Sequence, residues 1–240
     1  EKGYNKCMQN EDHEALVAKL QNPDELAAYK AACAGDKTGW IASVLGSLLV
    51  GAGDLVYGRK PSYEKFKAVE VIARIPYQSW EAVAYTYLTA CYSDEVRAIK
   101  LSQVLPFARH AQDNETMHVV VVSQLVQKYH KNKFIRHTLI PLVFSFFYYW
   151  AVWLLSLFDR RIAFELNYLF ESHAYEQYTA FVEAEGERMK ASPVSSPFLD
   201  FYGRVAENEY DLFQSIRLDE IIHRNASVDM IRAVNHRHAE

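Results

Sequence analysis

Cysteine is scarce and unpatterned. Cys7, Cys33 and Cys91 are odd in number, far apart and free of any CxxC spacing, which speaks against a disulfide framework or structural zinc and fits a reducing compartment. Neither sign of charge dominates: 26 basic against 30 acidic residues leave a net charge of −4, so no electrostatic footprint for nucleic acid is present. Internal repeats and low-complexity tracts are absent, and period-two strand signals are few. No charged-then-apolar leader follows Glu1; on this reading a targeting segment was removed, was never present or lies outside the fragment.

What is abundant is apolar residue at helical spacing. Half of the 240 residues are hydrophobic and 23% charged, enough for one substantial core and incompatible with whole-chain disorder. The pattern predicts a nearly all-α protein. Asn22-Pro23-Asp24-Glu25 has the composition of a helix start, and the Ala-rich run after it should stop near Gly35-Asp36. Residues 1–58 are expected to form a peripheral arm with an interfacial helix, ahead of a bundle domain over 59–235. Within the bundle, one helix is expected over 62–91. A second should open at Ser93-Asp94-Glu95 and run to about Tyr129, with Pro106 kinking it or shifting its start. Residues 138–158 carry no charge, and Asp159-Arg160-Arg161 begins a helix reaching about Lys190. Pro193 and Pro197 mark a connection, and the last long helix should begin near Ala206-Glu207-Asn208 and run towards Met230.

Two of these helices carry Glu and His three residues apart, Glu115 with His118 and Glu220 with His223, a spacing that puts both side chains on one face. Either pair alone has an ordinary alternative, a solvated Glu and a satisfied core His. Glu70 and Glu171 lie on the two remaining long helices, giving the order Glu, Glu-x-x-His, Glu, Glu-x-x-His at intervals of 45, 56 and 49 residues. That is the ligand set of ferritin-like di-iron four-helix bundles. Glu70 lies in Ala68-Val-Glu-Val-Ile-Ala73 and Glu115 shortly precedes Val119-Val-Val-Val122. A carboxylate buried in such surroundings costs several kcal/mol unless neutralised or coordinated. The donors suit iron or manganese, and four carboxylates offset most of the charge of two divalent cations.

Residues 138–158 are long enough to span a bilayer. A crossing there would leave Glu70, Glu115 and His118 on one side and Glu171, Glu220 and His223 on the other, so one shared metal site requires the segment to be buried or interfacial. Tyr148, Tyr149, Trp150 and Trp153 are amphipathic aromatics suited to the headgroup level. Arg59, Lys60, Lys65 and Lys67 would suit anionic lipid beside an apolar stretch over 43–57, although four basic residues are more often a solvated face. The expectation is a monotopic protein in one leaflet of the lipid bilayer.

Four stretches carry a family resemblance: Val69-Glu-Val-Ile-Ala-Arg-Ile-Pro-Tyr77, Asn114-Glu-Thr-Met-His118, Glu171-Ser-His-Ala-Tyr-Glu-Gln-Tyr178 and Arg217-Leu-Asp-Glu-Ile-Ile-His223. Over about residues 55–230 the chain resembles the alternative oxidase superfamily, and within it the plastid terminal oxidases. The resemblance implies a di-iron quinol oxidase that passes four electrons from two quinols to dioxygen, yields water and pumps no protons. It implies two Fe ions held by Glu70, Glu115, His118, Glu171, Glu220 and His223, and Tyr178 as a redox or proton donor. Tyr178 is also seven residues, two helical turns, from Glu171. Asn114 and Asp219 fall where side chains orient ligands, and Lys65, Val69, Phe170, Ala174 and Gln177 fall on the quinol pocket. There are departures. Lys65 stands for an arginine and Gln177 for a threonine, which changes hydrogen-bond geometry. The histidine expected near the start of the third-ligand helix is missing, with Phe164 and Glu165 in that region. The connection over 190–210 lacks a longer insertion seen in plant members. The resemblance further implies a homodimer on a thylakoid or other plastid membrane, with a bacterial or mitochondrial inner membrane as the alternative. Arg74-Ile-Pro-Tyr77 and His173-Ala-Tyr175 favour plastoquinol over ubiquinol. Two rival functions use similar ligands: a di-iron hydroxylase of a quinone precursor or lipid, and a ferritin-like iron-binding protein.

Overall fold

The computed structural model describes residues 10–33, 38–129 and 132–237, and among these there is no strand, only an isolated bridge between Pro193 and Asn208. Eleven α-helices follow in order: α1 Asn10–Lys19, α2 Pro23–Ala31, α3 Trp40–Tyr57, α4 Tyr63–Ala73, α5 Ile75–Thr89, α6 Glu95–Ser102, α7 Leu105–Tyr129, α8 Ile140–Phe158, α9 Arg160–Lys190, α10 Pro197–Tyr202 and α11 Glu209–Arg237. A π-helical turn, Ile135–Leu139, leads into α8.

Local chemistry sets most helix starts. The side chains of Asn22, Ser62, Asp94, Asp159, Ser196 and Asn208 each accept a backbone N–H of the turn that follows, satisfying donors that the first turn leaves unpaired. The end expected for α2 near Gly35-Asp36 lies outside the described residues. Two expected helices are each split. The 62–91 helix breaks at Arg74 into α4 and α5, because Pro76 has no N–H to continue the ladder. Pro106 likewise starts α7 afresh after α6 instead of kinking one helix. The last helix outruns Met230 and reaches Arg237.

The helices α4/α5, α7, α9 and α11 form the bundle, with α9 and α11 packed along most of their length. Each carries a segment in each of two apolar clusters. One cluster joins Phe66, Val121, Phe181 and Phe213 to their neighbours, and the other Tyr77, Ala108, Phe164 and Ile231. The expected ligands lie between these segments on every helix, so they form one polar layer between two apolar ones. Along the chain, α4/α5 and α11 pass from the first cluster to the second and α7 and α9 pass back.

Helices α3 and α8 flank the bundle. Both are long and apolar enough to cross a membrane, yet only 11% and 22% of their apolar windows are buried, so they are not core helices. Gly46 lets α3 approach α9, since a Cβ there would meet Leu169 Cδ1 at 3.1 Å. Glu165 holds the start of α3, accepting from Gly39 N–H (2.8 Å) and Arg161 Nε (2.7 Å).

Three expectations change. Helix α1 is not peripheral, because His13, Val17 and Leu20 are buried against the bundle. Lys65 and Lys67 are buried and cannot serve a lipid surface: Lys65 is paired with Asp54 at 2.8 Å and Lys67 bonded to Asn132 at 3.2 Å. Arg59 and Lys60 are exposed. Of the four α8 aromatics expected at the headgroup level, Tyr148 faces inward, whereas Trp150 is exposed.

Candidate metal centre

Glu70 on α4, Glu115 and His118 on α7, Glu171 on α9, and Glu220 and His223 on α11 are all fully buried. The i,i+3 pairs put carboxylate and imidazole on the inward face of each helix. Their donor atoms converge as two overlapping quartets, Glu70–Glu115–His118–Glu220 and Glu115–Glu171–Glu220–His223, with the atoms of each quartet within 4.8 Å of one another. Glu115 and Glu220 belong to both quartets, which places them between two neighbouring positions. His118 Nδ1 lies 3.3 Å from oxygens of Glu70 and Glu115 and 3.6 Å from Glu220. His223 Nδ1 lies 2.9 Å from Glu115 Oε1.

The layer is electrostatically unfinished on its own. Both oxygens of Glu115 and of Glu220, Glu171 Oε2 and both nitrogens of His223 are buried without a hydrogen-bond partner. Such orphaned atoms are costly unless a cation takes them up. Burial, then the neighbouring Glu115, pushes Glu70 up to about 8, and the same two causes raise Glu171. Burial, then Glu115, Glu171 and Glu70, raises Glu220 well above its usual range. Burial opposes charge on His118, yet Glu70, Asp219 and Glu115 together hold it well above its usual range. Burial takes His223 down to about 4, leaving a neutral imidazole. Four carboxylates and two imidazoles in two quartets therefore fit a pair of divalent ions, whose charge would replace the protons these carboxylates otherwise retain.

Around this layer, hydrogen bonds orient the ligands. Tyr178 Oη donates to Glu70 Oε1, and Tyr77 Oη donates to Glu171 Oε1 at 2.6 Å, so each unshared carboxylate is held by a phenol. Asp219 Oδ2 accepts from His118 Nε2 at 2.8 Å, turning Nδ1 toward the carboxylates. Asn114 is buried beside Glu115, but its Oδ1 has no partner. Sequence reasoning did not single out Asn167, Tyr77, Arg204 or His13. Asn167 Nδ2 donates to Tyr77 Oη (3.1 Å) and Glu171 Oε1 (3.2 Å). It sits four residues before Glu171, a spacing that could have identified it.

A cavity of about 110 Å³ opens between α3, α4, α8 and α9, with Tyr178 among its lining residues. All five residues expected on the quinol pocket, Lys65, Val69, Phe170, Ala174 and Gln177, line it, and so does His173. Burial, then the charge of Lys65, lowers the His173 imidazole, which stays neutral. Lys65 Nζ is held by Asp54 Oδ1 (2.8 Å), Gly58 O (3.0 Å) and Gln177 Oε1 (3.3 Å).

The protein named ubiquinol oxidase 4, chloroplastic/chromoplastic, of Arabidopsis thaliana is 28% identical over 191 residues, which are 71% of this chain and 51% of that protein. The chain thus spans about half the length of this relative. The family model described as alternative oxidase matches residues 30–232, a span that takes in all four ligand-bearing helices and every expected ligand. On that match the chain belongs to the alternative oxidase family.

Proposed function

We propose that this protein is a di-iron quinol:oxygen oxidoreductase that oxidises a membrane quinol and reduces dioxygen to water. Two quinols supply the four electrons and four protons that convert one dioxygen to two waters. The observation that carries this reading is a cavity lined by five expected quinol-contacting residues and by Tyr178, the phenol bonded to the proposed ligand Glu70. Glu70, Glu115, His118, Glu171, Glu220 and His223 would hold the two irons, with Glu115 and Glu220 shared. When bound, the pair supplies the redox centre between quinol and dioxygen.

The protein's own groups have distinct tasks. The apolar walls of Val69, Phe170 and Ala174 exclude water and receive the quinol ring. His173, neutral and facing the cavity, can accept a proton from a quinol hydroxyl. Lys65, fixed by Asp54, holds positive charge at the cavity wall and orients Gln177 through its Oε1. Tyr178 keeps its phenolic proton, because burial and Glu70 raise it well above its usual range, and so stands as a proton donor beside the ligand layer.

Helices α3 and α8 would lie in one leaflet, letting quinol enter sideways from the acyl region. Their exposed apolar residues, among them Leu48, Leu55, Leu142, Phe146 and Phe147, support this. A protein confined to one leaflet offers no route across the bilayer, which accords with oxidation without proton pumping. The chloroplastic and chromoplastic designation of the Arabidopsis relative supports a plastid membrane, and the Arg74-Ile-Pro-Tyr77 stretch supports plastoquinol. A homodimer is proposed from the family resemblance.

The test is iron content and oxygen uptake of the purified protein on plastoquinol and ubiquinol analogues. Two irons per chain and quinol-dependent uptake are expected, with Glu171→Ala abolishing uptake. A folded Glu171→Ala protein consuming oxygen at the wild-type rate would overturn the ligand assignment.

A further inference from the structure

Beyond the ligands, the bundle buries a second charged group centred on Asp219. This carboxylate, on α11 beside Glu220, is fully buried and accepts four hydrogen bonds. Oδ2 accepts from His118 Nε2 and from Arg204 Nη1, each at 2.8 Å. Oδ1 accepts from Arg204 Nη2 at 3.0 Å and from His13 Nε2 at 2.7 Å. Glu14, next to His13 on α1, grips the other edge of the same guanidinium, at 2.8 Å from both Nε and Nη2. Val17 of α1 and Leu20, just past its end, pack with Leu218, Ile221 and Ile222, the residues flanking Asp219 and Glu220. All of this reaches in from a helix that precedes residue 30, where the alternative oxidase match begins.

We propose that α1 is a positioning element of the metal centre, in which His13 and Glu14 fix the Asp219–Arg204 pair and thereby hold His118 with Nδ1 toward the carboxylates. The inference rests on reading His118 as a ligand. The bidentate Arg204 fork fixes the Asp219 carboxylate from one side, and a donor from a different element adds a second direction of constraint. His13, arriving at Oδ1, sets the plane of the Asp219 carboxylate, and Glu14 stops the guanidinium from moving away. The only acceptor of His118 Nε2–H among the described residues is Asp219 Oδ2, so any looseness there passes straight to the ring that faces the cluster. Partners that orient a metal ligand typically change metal affinity by about 10–100-fold when lost.

Full-length, iron-loaded His13→Ala, His13→Gln and Glu14→Gln proteins test this by the rate at which reduced iron passes to a ferrous chelator. The second readout is the thermal midpoint of each metal-free protein. His13→Gln restores a donor near the Nε2 position. His13→Ala is expected to release iron about tenfold faster than wild type, with Glu14→Gln in between. His13→Gln should stay within about twofold of wild type, and the metal-free midpoints of His13→Gln and Glu14→Gln should be little changed. Wild-type release rates in both His13→Ala and Glu14→Gln would overturn the inference, as would release from His13→Gln as fast as from His13→Ala. Should His13→Ala fail to fold, Glu14→Gln, altered at a side chain only 25% exposed at the rim of the group, decides alone. A wild-type protein that binds no iron would overturn the ligand reading itself, an outcome distinct from unchanged release in the variants.

Discussion

Glu70 and Glu171 are the two unshared carboxylates, and each is held by a tyrosine from another helix, Tyr178 and Tyr77. Burial and the bonded carboxylate raise both phenols well above their usual range, so both remain donors. The carboxylates themselves predict how the metal-free protein responds to pH. Glu70 goes from 4.5 unfolded to about 8 folded, with Glu171 and Glu220 raised in the same direction. Below pH 6.5 the lowered histidines, His223 among them, act in the opposite sense; above it they are neutral in both states, so the folded state binds more protons than the unfolded one and its stability falls as pH rises. The thermal midpoint of metal-free protein is expected to drop between pH 6.5 and about 8, and ferrous iron should remove that slope by taking the place of the protons. A midpoint independent of pH across this window would show that the carboxylates are not held protonated. Asp219 has the opposite sign, because Arg204 prevails over burial and keeps it well below its usual range. Its contribution is lost only at the acid end. The six proposed ligands were singled out in the sequence, Glu115 with His118 and Glu220 with His223 by i,i+3 spacing, and Glu70 and Glu171 by their place on the two remaining long helices. Tyr77 and Asn167 had local signals that went unused.

Helix α3 shows how a single small residue places an apolar wall. Gly46 lies against Leu169 and Leu166 of α9, while Leu49, Gly53, Asp54 and Tyr57 farther along α3 line the cavity. A Cβ at this position would already meet Leu169 Cδ1 at 3.1 Å, so Gly46→Leu must push α3 outward. Overpacking of this kind costs about 1–3 kcal/mol. Expected in steady-state kinetics is a KM for quinol raised about tenfold, equivalent to about 1.4 kcal/mol, with iron content and kcat little changed. An unaltered KM would mean that α3 does not form the wall that quinol meets. The apolar periodicity of α3 was evident in the sequence, but its seat on α9 was not. A glycine in a helix has no sequence mark that separates close packing from simple tolerance.

For the molecule as a unit, two flanking helices expose apolar side chains that water alone does not favour. Phe146 and Phe147 are 61% and 66% exposed on α8, and Leu48 is 65% exposed on α3. Patches of this kind mark a lipid or protein contact. The protein is expected to sediment with phosphatidylcholine vesicles. Leu142→Glu combined with Phe146→Glu should release most of it into the supernatant while leaving oxygen uptake on a water-soluble short-chain quinol intact. A double variant that still pellets with vesicles would assign this face to another partner. Lys65 and Lys67 take no part in such a surface, since both are buried. The basic group inferred from sequence therefore reduces to Arg59 and Lys60.

Helix starts, the breaks at Pro76 and Pro106, the order of the ligands and the apolar character of α3 and α8 all follow from local rules. Caps, missing N–H groups and three-residue spacings act within a turn or two of the chain, so the amino-acid order carries them without help. The convergence of two quartets onto shared Glu115 and Glu220 was implied by ligand order, but their separations exist only once four helices pack. The burial of Lys65, the inward turn of Tyr148 and the insertion of His13 against Asp219 were decided by packing alone. His13 and Asp219 are 206 residues apart, and no spacing or propensity links positions so distant. Only the docking of the α1 region on α11, driven by Val17 and Leu20 against Leu218 and Ile222, brings that histidine to the carboxylate bonded to His118.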